Sequence, residues 1–371
     1  MLGNIVTGCS VIAPAGMLPE LSGDLGVSVA TAGLLITFGA IVLCIGSPLT
    51  AWLTSRIDRR RLLTATLLVL ALTNAASAFA PDYTSLLVIR LVMLAVGALY
   101  TPQAAGTAAL IVPEQKRGST IAYIFLGWSL AAAIGLPLIT FAASRYGWRV
   151  AYGGIGVLGC LSFLLLAWRL PSGLVGTPVD LKTWAAVGGN RMIVLLLMIT
   201  TLQMSGQFVV FTFMGPLLAK LTGAGPDAIG FAFACYGVCG FIGVAVASRI
   251  VDSWGAWKTS VLFTVLLLAG VCGWALRAGF YPLMAASVAI WGLGFASTNS
   301  MQQVRLVGAA PALASASVSL NTSVLYVGQA VGSAIGGWLY ARDLLHATGF
   351  VATAFVALAL TLVILTKPKK V

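Results

Sequence analysis

Long, nearly unbroken apolar runs alternate along this chain with short polar breaks, at a spacing that matches the thickness of a hydrocarbon layer. A spanning helix takes about 20 mainly apolar residues, and lipid offers no partner to an unpaired backbone group. The runs predict twelve such helices, at roughly 1–19, 28–54, 62–80, 84–112, 118–144, 149–170, 190–220, 227–251, 257–277, 281–307, 313–342 and 347–366. Several exceed the hydrocarbon thickness, which predicts tilt. Their continuity argues against a β-barrel, whose segments are short and alternating. The first run starts almost at Met1, without a basic flank or a small-residue cleavage site. It therefore reads as a span with a shortened N-terminus rather than a signal peptide. Residues 171–189, PSGLVGTPVDLKTWAAVGG, are the one break long enough to be an interdomain linker,. They divide the chain into six-helix halves at 1–170 and 190–371, and Trp184 is placed to hold the linker at the membrane surface,.

A shift of 197 residues superimposes the landmarks of the two halves. Pro19 falls on Pro216, Gly26 on Gly223, Gly33 on Gly230, Gly46 on Gly243, Gly97 on Gly294 and Gly135 on Gly332. With 42 glycines in the chain, a single match means little. The common register is informative. Two parallel hydrophobic halves are a transporter architecture, with the substrate site between them near mid-membrane.

Composition agrees with this reading. Hydrophobic residues make up 60% of the chain and charged residues 8%, against roughly a quarter charged in soluble proteins,. The net charge of +12 raises nucleic acid as a partner, but the positions of the charges argue for topology instead. With the N-terminus in the cytoplasm, fifteen Lys and Arg residues fall on the inner side and five on the outer, with Arg90 inside a helix. That is the positive-inside bias, and it predicts cytoplasmic termini. Six cysteines lie within apolar spans. Cys235 and Cys239 are a helical turn apart, but no histidine or carboxylate accompanies them, so they read as packing residues and no metal is expected,.

Two loops carry the clearest motif. Between helices 2 and 3 the sequence runs Ser55-Arg56-Ile57-Asp58-Arg59-Arg60-Arg61. The corresponding place in the second half runs Ser248-Arg249-Ile250-Val251-Asp252-Ser253-Trp254-Gly255. Both resemble the signature loop of the major facilitator superfamily, Gly-x-x-x-Asp-Arg-x-Gly-Arg-Arg. The second copy keeps the acid at Asp252 and the glycine at Gly255. The first keeps Arg56, Arg59 and Arg60 but has Ser55 in the place of the acid and Asp58 in the place of the glycine. The resemblance implies a loop that latches the halves in one state and releases them in another, with an anchoring role for the arginines as the plain alternative.

Arg90, in Leu-Leu-Val-Ile-Arg90-Leu-Val-Met, resembles the helix 4 arginine of the same superfamily, associated there with proton coupling or substrate polarisation. A charge within a span is costly and usually faces the bundle interior. The alternative is snorkelling to the outer surface. Gly127-Trp128-Ser129 and Gly135-Leu136-Pro137 in helix 5 resemble a thinned glycine–proline motif of exporters. The superfamily architecture implies a pocket among helices 1, 4, 5, 7, 10 and 11. The candidate substrate contacts there are Asn4, Thr7, Tyr100, Gln103, Trp128, Gln203, Gln207, Phe211, Asn299, Gln303, Asn321 and Tyr326. Uncharged amides and hydroxyls with aromatic walls suit a neutral or amphipathic organic molecule.

All nine acids lie at or near predicted helix ends, and Val11 occupies the position where many relatives of this kind carry a helix 1 glutamate. Glu20 is then the nearest candidate proton carrier, and the candidate coupling and gating set is Arg90, Glu20, Ser55, Arg56, Asp58, Arg59 and Asp252. The resemblance implies an all-α, twelve-span membrane transporter similar to bacterial arabinose- and drug-efflux permeases. It would be a monomer that moves a drug or sugar-like molecule by alternating access, coupled to protons, without a cofactor. An importer or uncoupled facilitator of a sugar or small metabolite stays open, favoured by the missing membrane acid. An enzyme is disfavoured because the spans hold no nucleophile–base pair.

Overall fold

The computed structural model of the protein describes residues 1–54, 57–113, 120, 123–124, 126–174, 186–310 and 313–367, and among these every regular element is helical. The chain begins with α1 (Leu2–Ile12), a tight 3-10 turn at Ala13–Gly16 and α2 (Leu18–Leu25). Next come α3 (Val29–Leu53), α4 (Arg59–Ser77), α5 (Tyr83–Ile111), α6 (Leu126–Tyr146) and α7 (Trp148–Arg169). The second succession is α8 (Arg191–Phe211), α9 (Met214–Thr222), α10 (Pro226–Trp254), α11 (Ala256–Leu276), α12 (Tyr281–Ala309), α13 (Ala314–Ala341) and α14 (Leu345–Leu365). Corresponding helices open 197 residues apart: Val29 and Pro226, Arg59 and Ala256, Trp148 and Leu345. One end of the bundle carries turns closed by Gly26, Gly147, Gly223 and Gly279, and is the glycine end. The other carries Asp58, Arg59, Arg169 and Arg305, and is the arginine end.

Seven stretches of the described residues are long and apolar enough to cross a bilayer, one of them (Pro226–Leu276) holding both α10 and α11. The bent α1–α2 pair makes an eighth. Helices α4, α12 and α13 are less apolar because they carry buried polar side chains, such as Asn74 on α4, Gln302 and Arg305 on α12, and Asn321 and Gln329 on α13.

The first hydrophobic run is not the single helix expected over 1–19. It breaks after Ile12 and continues, bent by 66°, as α2. Pro14 has no N–H to give the carbonyl of Ser10, so the ladder stops there. Pro19 is tolerated in the first turn of α2, where no intrahelical donor is needed,. The run expected over 190–220 likewise divides into α8 and α9, with Pro216 in the first turn of α9. Both short helices end on a left-handed glycine, Gly26 at φ 63° and Gly223 at φ 69°, a conformation that a side chain would disfavour,.

The two successions meet along α3 against α13 and α6 against α10, with α2 touching α9 at the glycine end. Pro137 removes a donor from α6, and the preceding Ala131–Gly135 widens into a π turn,. The backbone of that turn, at Ala132 and Ala133, lies so close to Gly237 of α10 that no Cβ fits. Phe213 stacks on Tyr340 at 5.4 Å between ring centres and lies over Gly33 of α3. Gly328, Gly332 and Gly336 press α13 onto the backbone of α8, the close packing their four-residue spacing predicts,. Arg145 and Asp227 face each other across the α6–α10 seam at 3.8 Å, but both are exposed and such a pair contributes little,.

At the arginine end α4 starts at Arg59, three residues earlier than expected, because Asp58 caps it. Its Oδ1 accepts the Arg61 N–H at 3.1 Å, and its Oδ2 accepts the N–H groups of Gly173 and Leu174 at 2.6 and 3.1 Å. The Arg59 N–H returns a bond to the Leu174 carbonyl at 2.8 Å. One carboxylate thus fixes both a helix start and the first residues after α7. Ser55, Arg56, Glu114, Lys116, Arg117, Asp180, Lys182, Trp184, Lys369 and Lys370 lie outside the described residues.

The N–H bond from Arg61, and then those from Gly173 and Leu174, hold the Asp58 carboxyl below the usual carboxylate range. A depressed acid contributes stability that is fully present above its unfolded pKa of about 4 and is lost as pH falls through the folded value. Asp58→Ala should therefore lower Tm by about 2 °C, by an amount constant from pH 5 to 8 that shrinks only below about pH 4. A thermal-melt series on both proteins across that range checks this.

Candidate functional site

Arg90 lies about a quarter of the way along α5 from its glycine end and is 1% exposed. It does not snorkel. Its Nη1 donates to the Ser10 carbonyl at 2.9 Å, Nη2 to Val11 at 2.7 Å and Nε to Leu35 of α3 at 2.8 Å. The Ser10 carbonyl is the one that Pro14 leaves without a donor, so the guanidinium replaces the missing N–H at the break in the first helix. No acid among the described residues pairs with it. The carbonyl end of α1, where the helix dipole is negative, takes that part. Gly39 of α3 leaves room for Leu94 of α5, one turn along from Arg90, and the Leu94 Cδ1 lies too close for a Cβ to fit. Tyr152 of α7 approaches it with a buried hydroxyl that has no hydrogen-bond partner. Nearby, Asn74 of α4 donates to the Ser10 hydroxyl at 2.9 Å.

The second half carries a neutral side-chain bond at the corresponding level. The Trp291 Nε1 of α12 donates to Oε1 of Gln207 at 3.0 Å, and Gln207 corresponds to Ser10 under the 197-residue shift. Phe211, one of the candidate contacts, sits beside this bond in a cluster of rings. Its ring centre is 5.3 Å from Phe208, 4.9 Å from Tyr236 and 6.3 Å from Trp291.

The remaining candidates gather into two clusters, one in each half. In the first, Trp128 Nε1 donates to the Thr101 hydroxyl at 3.1 Å. Thr101 donates to Oδ1 of Asn4 at 3.0 Å, and Asn4 Nδ2 donates to the Ile124 carbonyl at 2.9 Å. In the second, Thr200 donates to Oδ1 of Asn321 at 2.7 Å, and Asn321 Nδ2 donates to Oδ1 of Asn299 at 3.0 Å. Gln203 donates to the Thr264 hydroxyl at 3.0 Å and keeps its Oε1 buried without a partner. Both chains are amide–hydroxyl relays between neighbouring helices, without a charge. Within each chain, Thr101, Trp128 and Asn299 keep partial exposure, whereas Asn4 and Asn321 are buried.

The other candidates stay outside these relays. Thr7 bonds back to the Gly3 carbonyl at 2.9 Å, and Tyr100 packs over Gly3. Tyr326 and the half-buried Gln303 have no hydrogen bond among the described residues. Gln103 accepts from Nη1 of Arg59, which ties α4 to α5 at the arginine end; in this structure the bonds of Asp58 and Arg59 stay within the first half and its exit. Arg305 makes the matching tie in the second half, with Nη2 donating to the Thr366 hydroxyl at 2.6 Å and Nη1 to Gln302 at 3.0 Å. Asp252 is exposed on the last turn of α10. Glu20 is half-buried in the first turn of α2, and its Oε2 is buried without a hydrogen-bond partner. Thr101, Thr200 and Thr264 are the partners that sequence reasoning missed. Single hydroxyls in apolar runs are common, and nothing in the pattern separates these from the others.

The Major Facilitator Superfamily model matches residues 1–319 and again 196–371, and the chain belongs to that family. It is 30% identical to the inner membrane transport protein YdhP of Escherichia coli (strain K12), over 100% of this chain and 95% of that protein. It is 30% identical to a chloramphenicol resistance protein of Streptomyces lividans, over 92% of this chain and 87% of that protein. Its fold is similar to the crystal structure of a D-xylose–proton symporter, with a TM-score of 0.81 at 16% identity over 99% and 96% of the two chains. Family membership makes the protein a transporter rather than an enzyme.

Replacing Arg90 removes the donor from the Ser10 and Val11 carbonyls at the broken end of α1, each costing about 1–3 kcal/mol when left unpaired, and a further bond to the Leu35 carbonyl inside α3,. Arg90→Gln should destabilise the purified protein by about 3 kcal/mol or more, and Arg90→Lys, with one compact ammonium, should recover less than half of the loss. Chemical unfolding of the three proteins in the same detergent compares them.

Proposed function

We propose that this transporter exports a small neutral or amphipathic organic molecule by alternating access, in exchange for protons. The observation that carries the reading is the uncharged character of the two relays, Asn4–Thr101–Trp128 and Thr200–Asn321–Asn299. Amides and hydroxyls beside aromatic walls can orient a polar group without demanding a charge on the substrate. Thr101, Trp128 and Asn299, the half-exposed members, are the ones a substrate reaches first. Movement of the substrate then exchanges bonds within each relay for bonds to the ligand.

In this reading the arginine end faces the cytoplasm of a bacterial inner membrane, in keeping with the distribution of Lys and Arg,. The packing of α2 on α9 and of the α6 π turn on Gly237 then closes the outer side. Glu20, with a buried and unpartnered carboxylate oxygen beside that closure, is the proton carrier of the proposal. The name of the Streptomyces lividans relative, a chloramphenicol resistance protein, supports an organic drug-like substrate. Val11, in place of a helix 1 acid, favours an importer or uncoupled facilitator of a sugar or small metabolite, and proton movement separates the two readings.

Proteoliposomes with an imposed pH gradient, given chloramphenicol and then neutral sugars, test this. Export predicts substrate movement accompanied by proton movement, with Glu20→Gln cutting the proton signal at least tenfold. Substrate movement of equal size with and without the gradient, and no proton signal, would make the protein a facilitator.

A further inference from the structure

We infer that the arginine end of the first half holds a binding site for the phosphate of an anionic phospholipid, between the start of α4 and the end of α7. The reading depends on the protein lying in a bilayer and not on the substrate or direction proposed above. A cavity of about 490 Å³ opens there, lined by Asp58, Arg60, Arg61 and Thr64 on one side and Ala167, Ser172 and Gly173 on the other. That is ample for a phosphodiester and its glycerol.

The charges of this cavity are unbalanced. Arg60 donates from Nη2 to the Ala167 carbonyl at 2.5 Å, which fixes its guanidinium across the α4–α7 gap, and its other N–H groups bond to none of the described residues. Arg61 is exposed, and its side chain likewise has no partner among them. Asp58 is the one acid in the lining, and it is already occupied. Its Oδ1 takes the Arg61 N–H, its Oδ2 takes the N–H groups of Gly173 and Leu174, and it forms no ion pair with either guanidinium. The positive end of the α4 dipole adds to the field. Two guanidinium groups around one cavity, neither in an ion pair among the described residues, match a phosphate oxygen set,.

Lipid is favoured over a soluble phosphate by what lies just below the cavity. Leu68 and Leu72 of α4 and Leu161, Leu164 and Leu165 of α7 are exposed on the bundle surface, and only acyl chains cover such a face in a membrane,. Trp168 is 74% exposed, with the Arg169 guanidinium 4.6 Å above its ring. An exposed tryptophan with a cation over it marks the headgroup level. A phospholipid there would place its phosphate between Arg60 and Arg61 and its chains along α4 and α7. Basic pockets between transmembrane helices bind such headgroups. The bound headgroup would join α4, α7 and the residues that leave α7 toward the second half.

The test titrates the purified full chain in detergent with dioleoyl phosphatidylglycerol, dioleoyl phosphatidylcholine and inorganic phosphate, following binding by native mass spectrometry. Phosphatidylglycerol should bind in preference to phosphatidylcholine. Arg61→Gln, which removes no side-chain bond of the fold, should weaken it about fivefold, and the Arg60→Gln, Arg61→Gln pair about 25-fold. Arg191→Gln, on an exposed arginine of the same bundle end but the other half, should change nothing. Equal loss in Arg191→Gln would mean diffuse surface attraction and overturn the site. Undiminished binding in Arg61→Gln and in the pair would overturn it too. So would displacement of the lipid by millimolar inorganic phosphate, which would make it a soluble-anion site.

Discussion

A helix that breaks inside a hydrocarbon layer exposes carbonyls that water cannot reach, and the arrangement of this protein follows from how those carbonyls are satisfied. Pro14 ends the ladder of α1, and Arg90 supplies the lost donor to Ser10 while binding Val11 and Leu35. A buried guanidinium ordinarily needs an acid. Here three carbonyl oxygens, two of them at the negative end of a helix dipole, share the charge instead. The bend then directs α2 across the glycine end, onto α9. The three bonds run from α5 to α1 and α3, so these helices are committed to one arrangement by a single side chain.

The duplicated half breaks without a buried charge beside it. Its break falls later, at Thr212–Phe213, where Pro216 has no N–H for the Thr212 carbonyl, and a neutral side-chain bond between Trp291 and Gln207 lies at the level of Ser10,. The asymmetry leaves the first half with a fixed positive charge and the second with a packed aromatic cluster. At the arginine end the symmetry is closer. Arg59 on α4 reaches α5 through Gln103, and Arg305 on α12 reaches α11 and the end of α14 through Ser260 and Thr366. Each half is tied where its helix pairs would otherwise splay.

The helical order was legible because hydrophobic period and length are imposed by the bilayer, and α3, α7, α10, α11 and α14 start within two residues of expectation. The misplaced boundaries have local causes. Two long runs hide breaks, since Pro14 and Pro216 within apolar stretches look no different from kinks,. The earlier start of α4 depends on Asp58 finding Gly173 and Leu174, 115 and 116 residues away, which no local pattern reveals. Within the candidate site, amides were conspicuous because they are rare in spans, so Asn4, Gln203, Gln207, Asn299 and Asn321 stood out. Their hydroxyl partners Thr101, Thr200 and Thr264 did not, because threonine in a transmembrane helix usually bonds to its own backbone. The burial of Arg90 was one of two readings of its depth, and only the positions of Ser10, Val11 and Leu35 decide between them.

The claim that Arg90 sets the bend of the first helix, and through it the closure of the glycine end, is open to a direct distance measurement. Gly23 and Gly225 are exposed positions near the tips of α2 and α9, with open space around each. Spin labels on cysteines introduced there, in a background lacking the six native cysteines, report the separation of the two tips by double electron–electron resonance. The account predicts one narrow distance in the parent protein and a broad, longer distribution in Arg90→Gln. An unchanged narrow distribution in the folded Arg90→Gln protein would contradict it.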